Sequence, residues 1–309
     1  MPLVSIIMNV RNGAGTLREA IDSVLAQTCK DWELIVWDDR STDASAAIVS
    51  DYRDARVRYF LSPEDTPLGK ARGDAIRQAK ADWIAFLDQD DIWLPGKLEK
   101  QLALASDETG LVYGRTVRFY PGGRERDYDQ AHEYQLLPEG DIFTQLFTKS
   151  CFIAMSSAMF RRSAIEAIGG IPDEVRIIPD YHLYVAIARK YRARAVQEVV
   201  CRYRMHADSM SHVVALEMHQ EVLWLIDQWA DQLDPRTVAL CRKRHITAIA
   251  LEEMRNRRTL RQGLARLFAQ GSVGSQLARP FAFVFHLVRR NVWRPYWRRL
   301  NSKPTSDPE

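Results

Sequence analysis

Four short apolar runs, Val4–Val10, Glu33–Trp37, Val57–Leu61 and Trp83–Leu87, punctuate the first part of the chain, with helix-spaced segments between them. This alternation constrains the fold more than any other feature. VSIIMNV is rich in β-branched residues and reads as a buried strand. Asn12-Gly13-Ala14-Gly15 breaks it, and Leu17, Ala20, Ile21, Val24 and Leu25 then recur at helical spacing. Thr16 and Glu19 have the spacing of a capping box at the start of that helix. The second run leads into Asp38-Asp39-Arg40-Ser41-Thr42-Asp43 and a short helix through Ile48, and Leu68–Ala79 reads as a further helix. Strands alternating with helices predict an α/β fold built of βαβ units around a parallel sheet. Such sheets bind ligands beyond the carboxyl ends of their strands, where the strand order reverses. Arg11-Asn12, Asp38-Asp39 and Asp88–Asp91 each follow a strand, so all three are expected at one edge.

The stretch IAFLDQDDIWLP, Ile84–Pro95, carries the chemistry. Asp88, Asp90 and Asp91 crowd the end of an apolar strand, and Pro95 is placed to open the next helix. Acids this close raise one another's pKa unless a cation neutralises them. Mg2+ or Mn2+ takes one or two carboxylates and fills its remaining positions with phosphate oxygens. A solvated acidic turn is the plain alternative; the buried strand before it and the ordered flank after it favour a metal-diphosphate site.

Cys29, Cys151, Cys201 and Cys241 are scattered without a C-x-x-C pair, as expected of reduced thiols in a cytoplasmic protein rather than a disulfide framework or zinc site. The chain enters a strand pattern at Leu3 without a basic leader, so no secretory signal is expected. No apolar run approaches the ~20 residues that span a bilayer. The net charge of +3 conceals a split: from Met254 to Ser306 there are eleven Arg and one Lys but no acid, so the rest of the chain is acidic. Within this part, Gln276–Leu300 interleaves six Arg with Phe281, Phe283, Phe285, Trp293, Tyr296 and Trp297. Arg with aromatics suits an anionic membrane surface, bound peripherally from the cytoplasmic side. Helices packing on the body with solvated arginines are the alternative. Nucleic acid is not expected as a partner.

VSIIMNVRN, ELIVWDDRSTD, LGKARGDAIRQA and FLDQDDIWLPGKL together resemble the family 2 glycosyltransferases of the GT-A fold. The resemblance continues through AMFRRSAIEAIGGIPDE, IPDYHLYVAIA and CRYRMHADSMSH and covers roughly residues 3–212. It implies a Rossmann-like, mixed but mainly parallel sheet flanked by helices. Residues 1–105 would form the nucleotide-sugar half, 106–212 the acceptor half, and 213–309 a helical, basic extension. The donor implied is a nucleotide-diphosphate sugar. Asp39, with Asp38 beside it, would hold the pyrimidine; a carboxylate accepting the ring N3–H suits uracil and thymine alike. Arg11 stands where relatives often carry a base-stacking aromatic, and a guanidinium also stacks. Arg72 would touch the nucleotide or diphosphate, with Lys70 nearby. Asp88 and Asp90 would bind ribose and metal, Asp90 as the main metal ligand and Asp91 aligned with the liganding acid of other relatives.

On the acceptor side, strand-like Leu111–Tyr120 leads into a long polar loop, Pro121–Pro138. Asp180, opening a helix over Asp180–Tyr191, takes the position of the general base; relatives usually carry an acidic pair there, and here its neighbour is Pro179. Arg204 would close over the diphosphate and His206 would reach the metal, while His182 is expected to pack. One base and no second nucleophile imply inversion at the anomeric carbon. Two competing functions remain at this level. A nucleotide-sugar hydrolase or nucleotidyltransferase could use the same metal site, but only Asn12-Gly13-Ala14-Gly15 stands in for a basic Gly-rich loop. A silent scaffold of a polysaccharide-assembly complex is opposed by Asp39, Asp90 and Asp180 all being in place.

Overall fold

The computed structural model describes residues 2–120, 134–148, 152–206, 214–255 and 259–269. Two compact units divide the chain at Val238/Ala239. In the first, the four apolar runs become β1 (Val4–Val10), β2 (Trp32–Asp38), β3 (Val57–Leu61) and β4 (Trp83–Phe86), all parallel to one another. Both faces of β1, β2 and β4 are covered, which is why they read as continuous apolar runs instead of alternating ones. The covering helices are α1 (Leu17–Leu25), α2 (Ser45–Ser50) and α3 (Leu68–Ile76).

The eight strands lie in the order β3-β2-β1-β4-β7-β6-β8-β5. The chain builds outward from β1 through β2 to β3, then returns to the other side of β1 with β4, so the order reverses between β1 and β4. Val10 pairs with Asp38 and Asp38 with Leu61, which brings the carboxyl ends of the first three strands level. Beyond β4 the sheet becomes mixed. β7 (Met159–Arg161) is antiparallel to β4 and to β6 (Thr109–Phe119), and β6 runs parallel to β8 (Arg192–Arg204). β5 (Ile92–Trp93), antiparallel to β8, forms directly after the acid turn and was not expected.

Helices α4 (Lys97–Leu102), α5 (Phe143–Thr148), α6 (Arg162–Ala167) and α7 (Pro179–Ala188) complete the body. α7 is buried on nearly every side. Phe160 of β7 meets Phe86 edge-on at 5.7 Å and stacks on Tyr184 of α7 at 5.9 Å, tying that helix to the centre of the sheet. Where α3 begins, Gly69 lies against the segment leading into α7: a Cβ there would run into the Val175 carbonyl oxygen. The helix Ala215–Gln228 also belongs to the first unit, and its Trp229 neighbour packs edge-on against Phe143 at 5.8 Å.

Several local readings are corrected. Thr16 takes the N-cap position of α1 but makes no capping bond, its hydroxyl lying 3.5 Å from the Gly13 carbonyl, and Glu19 turns instead to Arg204. Pro95 precedes α4 by two residues, with Gly96 at its N-cap. In the second unit Gly263 lies inside the helix Leu260–Ala269. That helix and the later part of Pro235–Arg255 form the described portion of the second unit, where Arg266 bonds both oxygens of Glu253 at 2.9 and 3.0 Å. The interleaved Arg and aromatic stretch 276–300, and 121–133 of the polar loop, fall outside the described residues. Among those described, no helix is long and apolar enough to cross a membrane. Cys29, Cys201 and Cys241 are free thiols.

Candidate active site

The acid turn carries the chain from β4, in the middle of the sheet, to β5 at the β8 edge. It therefore runs beside the end of β8, and this brings Arg204 and His206 to acids more than a hundred residues away. Asp90 Oδ2 lies 2.8 Å from His206 Nε2, and both side chains are partly exposed. Arg204 is buried beside them. Its Nε donates to the Asp90 carbonyl at 2.7 Å, its backbone N–H to Asp91 Oδ1 at 2.9 Å, and its Nη2 to Glu19 Oε2 at 2.7 Å. The guanidinium expected to cover a diphosphate is thus occupied in holding the turn.

Asp91 is fully buried and commits both oxygens to protein donors, Oδ1 to Arg204 and Oδ2 to the Ser156 hydroxyl at 2.5 Å. Here it shapes the turn, tying it to Ser156 and to the end of β8. Burial, then the charges of Asp88 and Asp90, push its pKa well up. Asp88 receives Arg72 Nη2 at 2.8 Å, and its backbone N–H donates to the same Ser156 hydroxyl at 3.1 Å. Burial raises its pKa too, as do Asp90 and Asp180, against the pull of Arg72. Asp180 is therefore close enough to Asp88 to be felt electrostatically. Its Oδ1 accepts the Tyr181 N–H at 2.8 Å, and Pro179 fills the first helical position.

On the β1–β2 side, Asp38 is buried with both oxygens engaged, by the Ser41 N–H and the Tyr59 hydroxyl, each at 2.7 Å. It closes the turn after β2. Asp39 faces Arg11, whose Nη1 lies 3.2 Å from Oδ2, and its other oxygen is 3.4 Å from the Thr66 N–H. The Arg11 fork also grips Asp65 through both terminal nitrogens. Lys70 pairs with Glu64 and Asp74, each at 3.2 Å, as a solvated helix face would. His182 is buried against the Gly170 carbonyl at 3.3 Å, consistent with packing.

Five contributors were not assigned to the site from sequence: Asp65, Gln89, Ser156, Glu19 and Glu221. Gln89 stands between the acids in plain view, but its partner is the backbone of Arg11. Glu221 accepts the N–H groups of Arg176, Ile177 and Ile178 just ahead of α7, the last two at 2.8 and 2.7 Å. Nothing local announces a pairing across that many residues.

Among the described residues, no cluster of three or more His, Cys, Asp or Glu side chains is assembled to hold a metal unaided. Asp90 and His206 make a pair. A pair suffices for Mg2+ or Mn2+ when diphosphate oxygens complete the shell, so the residues present fit such an ion.

An acidic turn at the point of strand-order reversal, in a mixed sheet flanked by helices, defines the class: a GT-A glycosyltransferase fold. Solved structures agree in fold. The mannosyltransferase PcManGT of Pyrobaculum calidifontis, in complex with GDP-Man and Mn2+, matches with a TM-score of 0.62 over 96% of this chain and 83% of that one, at 21% identity. S. aureus TarS 1–349 in complex with UDP-GlcNAc matches with a TM-score of 0.60 over 87% and 73%, at 16% identity. The family model described as Glycosyl transferase family 2 matches residues 5–169, more than half of the sequence. The chain belongs to that family and is a glycosyltransferase. Among curated relatives, the Escherichia coli UDP-Glc:alpha-D-GlcNAc-diphosphoundecaprenol beta-1,3-glucosyltransferase WfaP is 33% identical over 214 residues, 68% of this chain and 80% of its own. An uncharacterized glycosyltransferase of Rickettsia typhi is 29% identical over 235 residues, 72% and 70% of the two chains.

Proposed function

We propose that this protein is an inverting, metal-dependent glycosyltransferase that moves a sugar from a UDP- or dTDP-linked donor to a saccharide or lipid-linked saccharide acceptor. One observation carries the reading: the Asp90–His206 pair joins the acid turn to the end of β8, at the turn whose Asp88 also feels the charge of Asp180 on α7. Asp39, with Arg11 beside it, accepts the pyrimidine N3–H. Arg72 holds Asp88 towards the ribose. Asp90 and His206 would hold Mg2+ or Mn2+, which would supply positive charge to a leaving diphosphate. Asp180 takes the proton of the acceptor hydroxyl from hydrogen-bond distance, and displacement in one step inverts the anomeric carbon.

The lipid-linked acceptor is supported by the name of the Escherichia coli relative, which acts on a diphosphoundecaprenol-linked sugar. It is also supported by the basic, aromatic residues 276–300, which suit peripheral attachment to an anionic membrane surface. Such an enzyme would serve cell-surface polysaccharide biosynthesis.

Calorimetric titration of UDP and dTDP with and without Mn2+, in the native protein and in Asp90→Ala, tests the reading. Mn2+ should tighten nucleotide binding in the native protein and not in the variant. Equal affinity in all arms overturns the metal site. NMR of the first-formed glycoside then reads the anomeric outcome, and retention overturns the single displacement.

A further inference from the structure

The two groups proposed to hold the cation lie 116 residues apart in the sequence, and a single guanidinium joins their segments. Arg204 lies two residues before His206 on the segment leaving β8. Its side chain reaches back to the carbonyl of Asp90, and its backbone N–H ties the same segment to Asp91. Its ring neighbour is Phe119, the residue paired with it in the β6–β8 register, whose centroid lies 4.7 Å from the guanidinium carbon. That packing fixes one face of the fork. One terminal nitrogen, Nη2, bonds Glu19, which projects from α1.

The contrast in exposure sets the roles. The Arg204 side chain is 8% exposed and that of Glu19 59%. A buried guanidinium needs a compensating anion, and the acid turn supplies only a carbonyl to its side chain, because Asp91 is bonded by the backbone N–H. Glu19 is therefore the carboxylate that directly satisfies this charge. Without it, Arg204 has a reason to swing towards Asp90 Oδ2 or Asp91, competing for the oxygens a cation requires.

We propose that Glu19 is a positioning residue for the metal-diphosphate site: it anchors Arg204, and Arg204 holds Asp90 and the His206 segment at the spacing a divalent ion bridges. This rests on the assignment of Asp90 and His206 made above. Glu19 touches neither ion nor substrate; it acts through Arg204 alone. The Thr16/Glu19 spacing that resembled a helix cap is accounted for by this pairing.

The test measures Mn2+ affinity directly, by the electron paramagnetic resonance signal of free Mn2+ in the presence of saturating UDP. Native protein, Glu19→Ala, Glu19→Gln and the neighbouring surface variant Arg18→Ala are compared, with UDP affinity in EDTA and melting temperature recorded for each. Glu19→Ala should weaken Mn2+ binding by about tenfold, in the range seen when groups supporting metal ligands are removed. Glu19→Gln, whose amide oxygen still accepts from Arg204, should recover part of that loss. UDP affinity without metal should stay within about twofold, and Arg18→Ala should match the native protein. A purely structural ion pair would move the melting temperature and leave Mn2+ affinity alone, which overturns the proposal. If the native protein itself binds no Mn2+ with UDP, the metal assignment fails first and the role of Glu19 falls with it.

Discussion

Gln89 and Arg11 grip one another by two hydrogen bonds: the Arg11 N–H donates to Gln89 Oε1 at 2.9 Å, and Gln89 Nε2 donates to the Arg11 carbonyl at 3.2 Å. The carboxamide behaves as a rung between the loop after β1 and the acid turn after β4. It couples the side of the site proposed to face the base to the side proposed to face the diphosphate. Gly13 makes room for it, since a Cβ at that position would collide with Gln89 Oε1.

Gln89→Ala and Gly13→Ala should therefore behave alike. Each should weaken nucleotide binding by about three- to tenfold, the loss of one to two net hydrogen bonds at a partly exposed site. The double variant should be little worse than either single one, because both remove the same rung. Isothermal titration with UDP and Mn2+ checks this. Additive losses would show that Gly13 serves the loop for some other reason.

Asp180→Asn is nearly isosteric and keeps an acceptor for the Tyr181 N–H, but it cannot take a proton. Turnover should fall by ~100-fold or more with donor affinity unchanged. Rapid-quench measurement of the first turnover, at saturating donor and acceptor, isolates the chemical step. A variant with near-native single-turnover rate would place the base elsewhere.

Lys97 offers a pH test unrelated to catalysis. It is fully buried on α4, its ammonium 4.0 Å from the Trp93 ring centroid and 2.6 Å from Gln101 Oε1. Burial pushes its pKa down to about 7. An unfolded lysine titrates near 10.4, so between these values the unfolded chain binds more protons and the native state loses stability as pH falls. Lys97→Met preserves the stem and removes the titration. Relative to the variant, the native protein should gain on the order of 2–4 kcal/mol as pH rises from 7 to 10, whatever fixed offset the unpartnered Gln101 oxygen adds. Urea unfolding of both proteins at several pH values reads this, and a pH-independent difference refutes the buried, neutralised lysine.

What could be read from the sequence followed the range of the forces involved. β1, β2 and β4 were legible because strands buried on both faces must be apolar throughout. The convergence of Arg11, Asp39 and Asp88–Asp91 on one edge followed from parallel topology. Roles within the clusters were not legible. Asp38 and Asp39 are chemically identical neighbours, and only the Ser41 N–H and Tyr59 hydroxyl make the first a turn residue. Asp90 and Asp91 divide in the same way, through Ser156 and Arg204. β5 is only two residues long and exists because β8 is there to pair with it, so no local pattern marks it.

The placement of Asp180 depends on a residue outside the stretch that resembles the family. Glu221, on the helix Ala215–Gln228, accepts three consecutive backbone N–H groups, those of Arg176, Ile177 and Ile178. Pro179 has no N–H and presets its own φ, so the chain enters α7 at an angle fixed by these bonds and by the proline together. Asp180 is the next residue. In Glu221→Ala the three donors turn to water, and stability should fall by about 1–2 kcal/mol, since the site is partly open to solvent. The larger effect should be on catalysis: the first turn of α7 loosens, the carboxylate loses its alignment, and kcat drops by about tenfold, as misplacement of a catalytic group by a fraction of a bond length allows. Affinity for UDP with Mn2+ should not change, because Asp39, Asp90 and His206 stand on other elements. Glu221→Gln keeps one good acceptor oxygen and should fall between the two. Steady-state kinetics with a nucleotide-binding control separate the effects. A variant that melts earlier but turns over at the native rate would show that Glu221 secures the helix without setting the base.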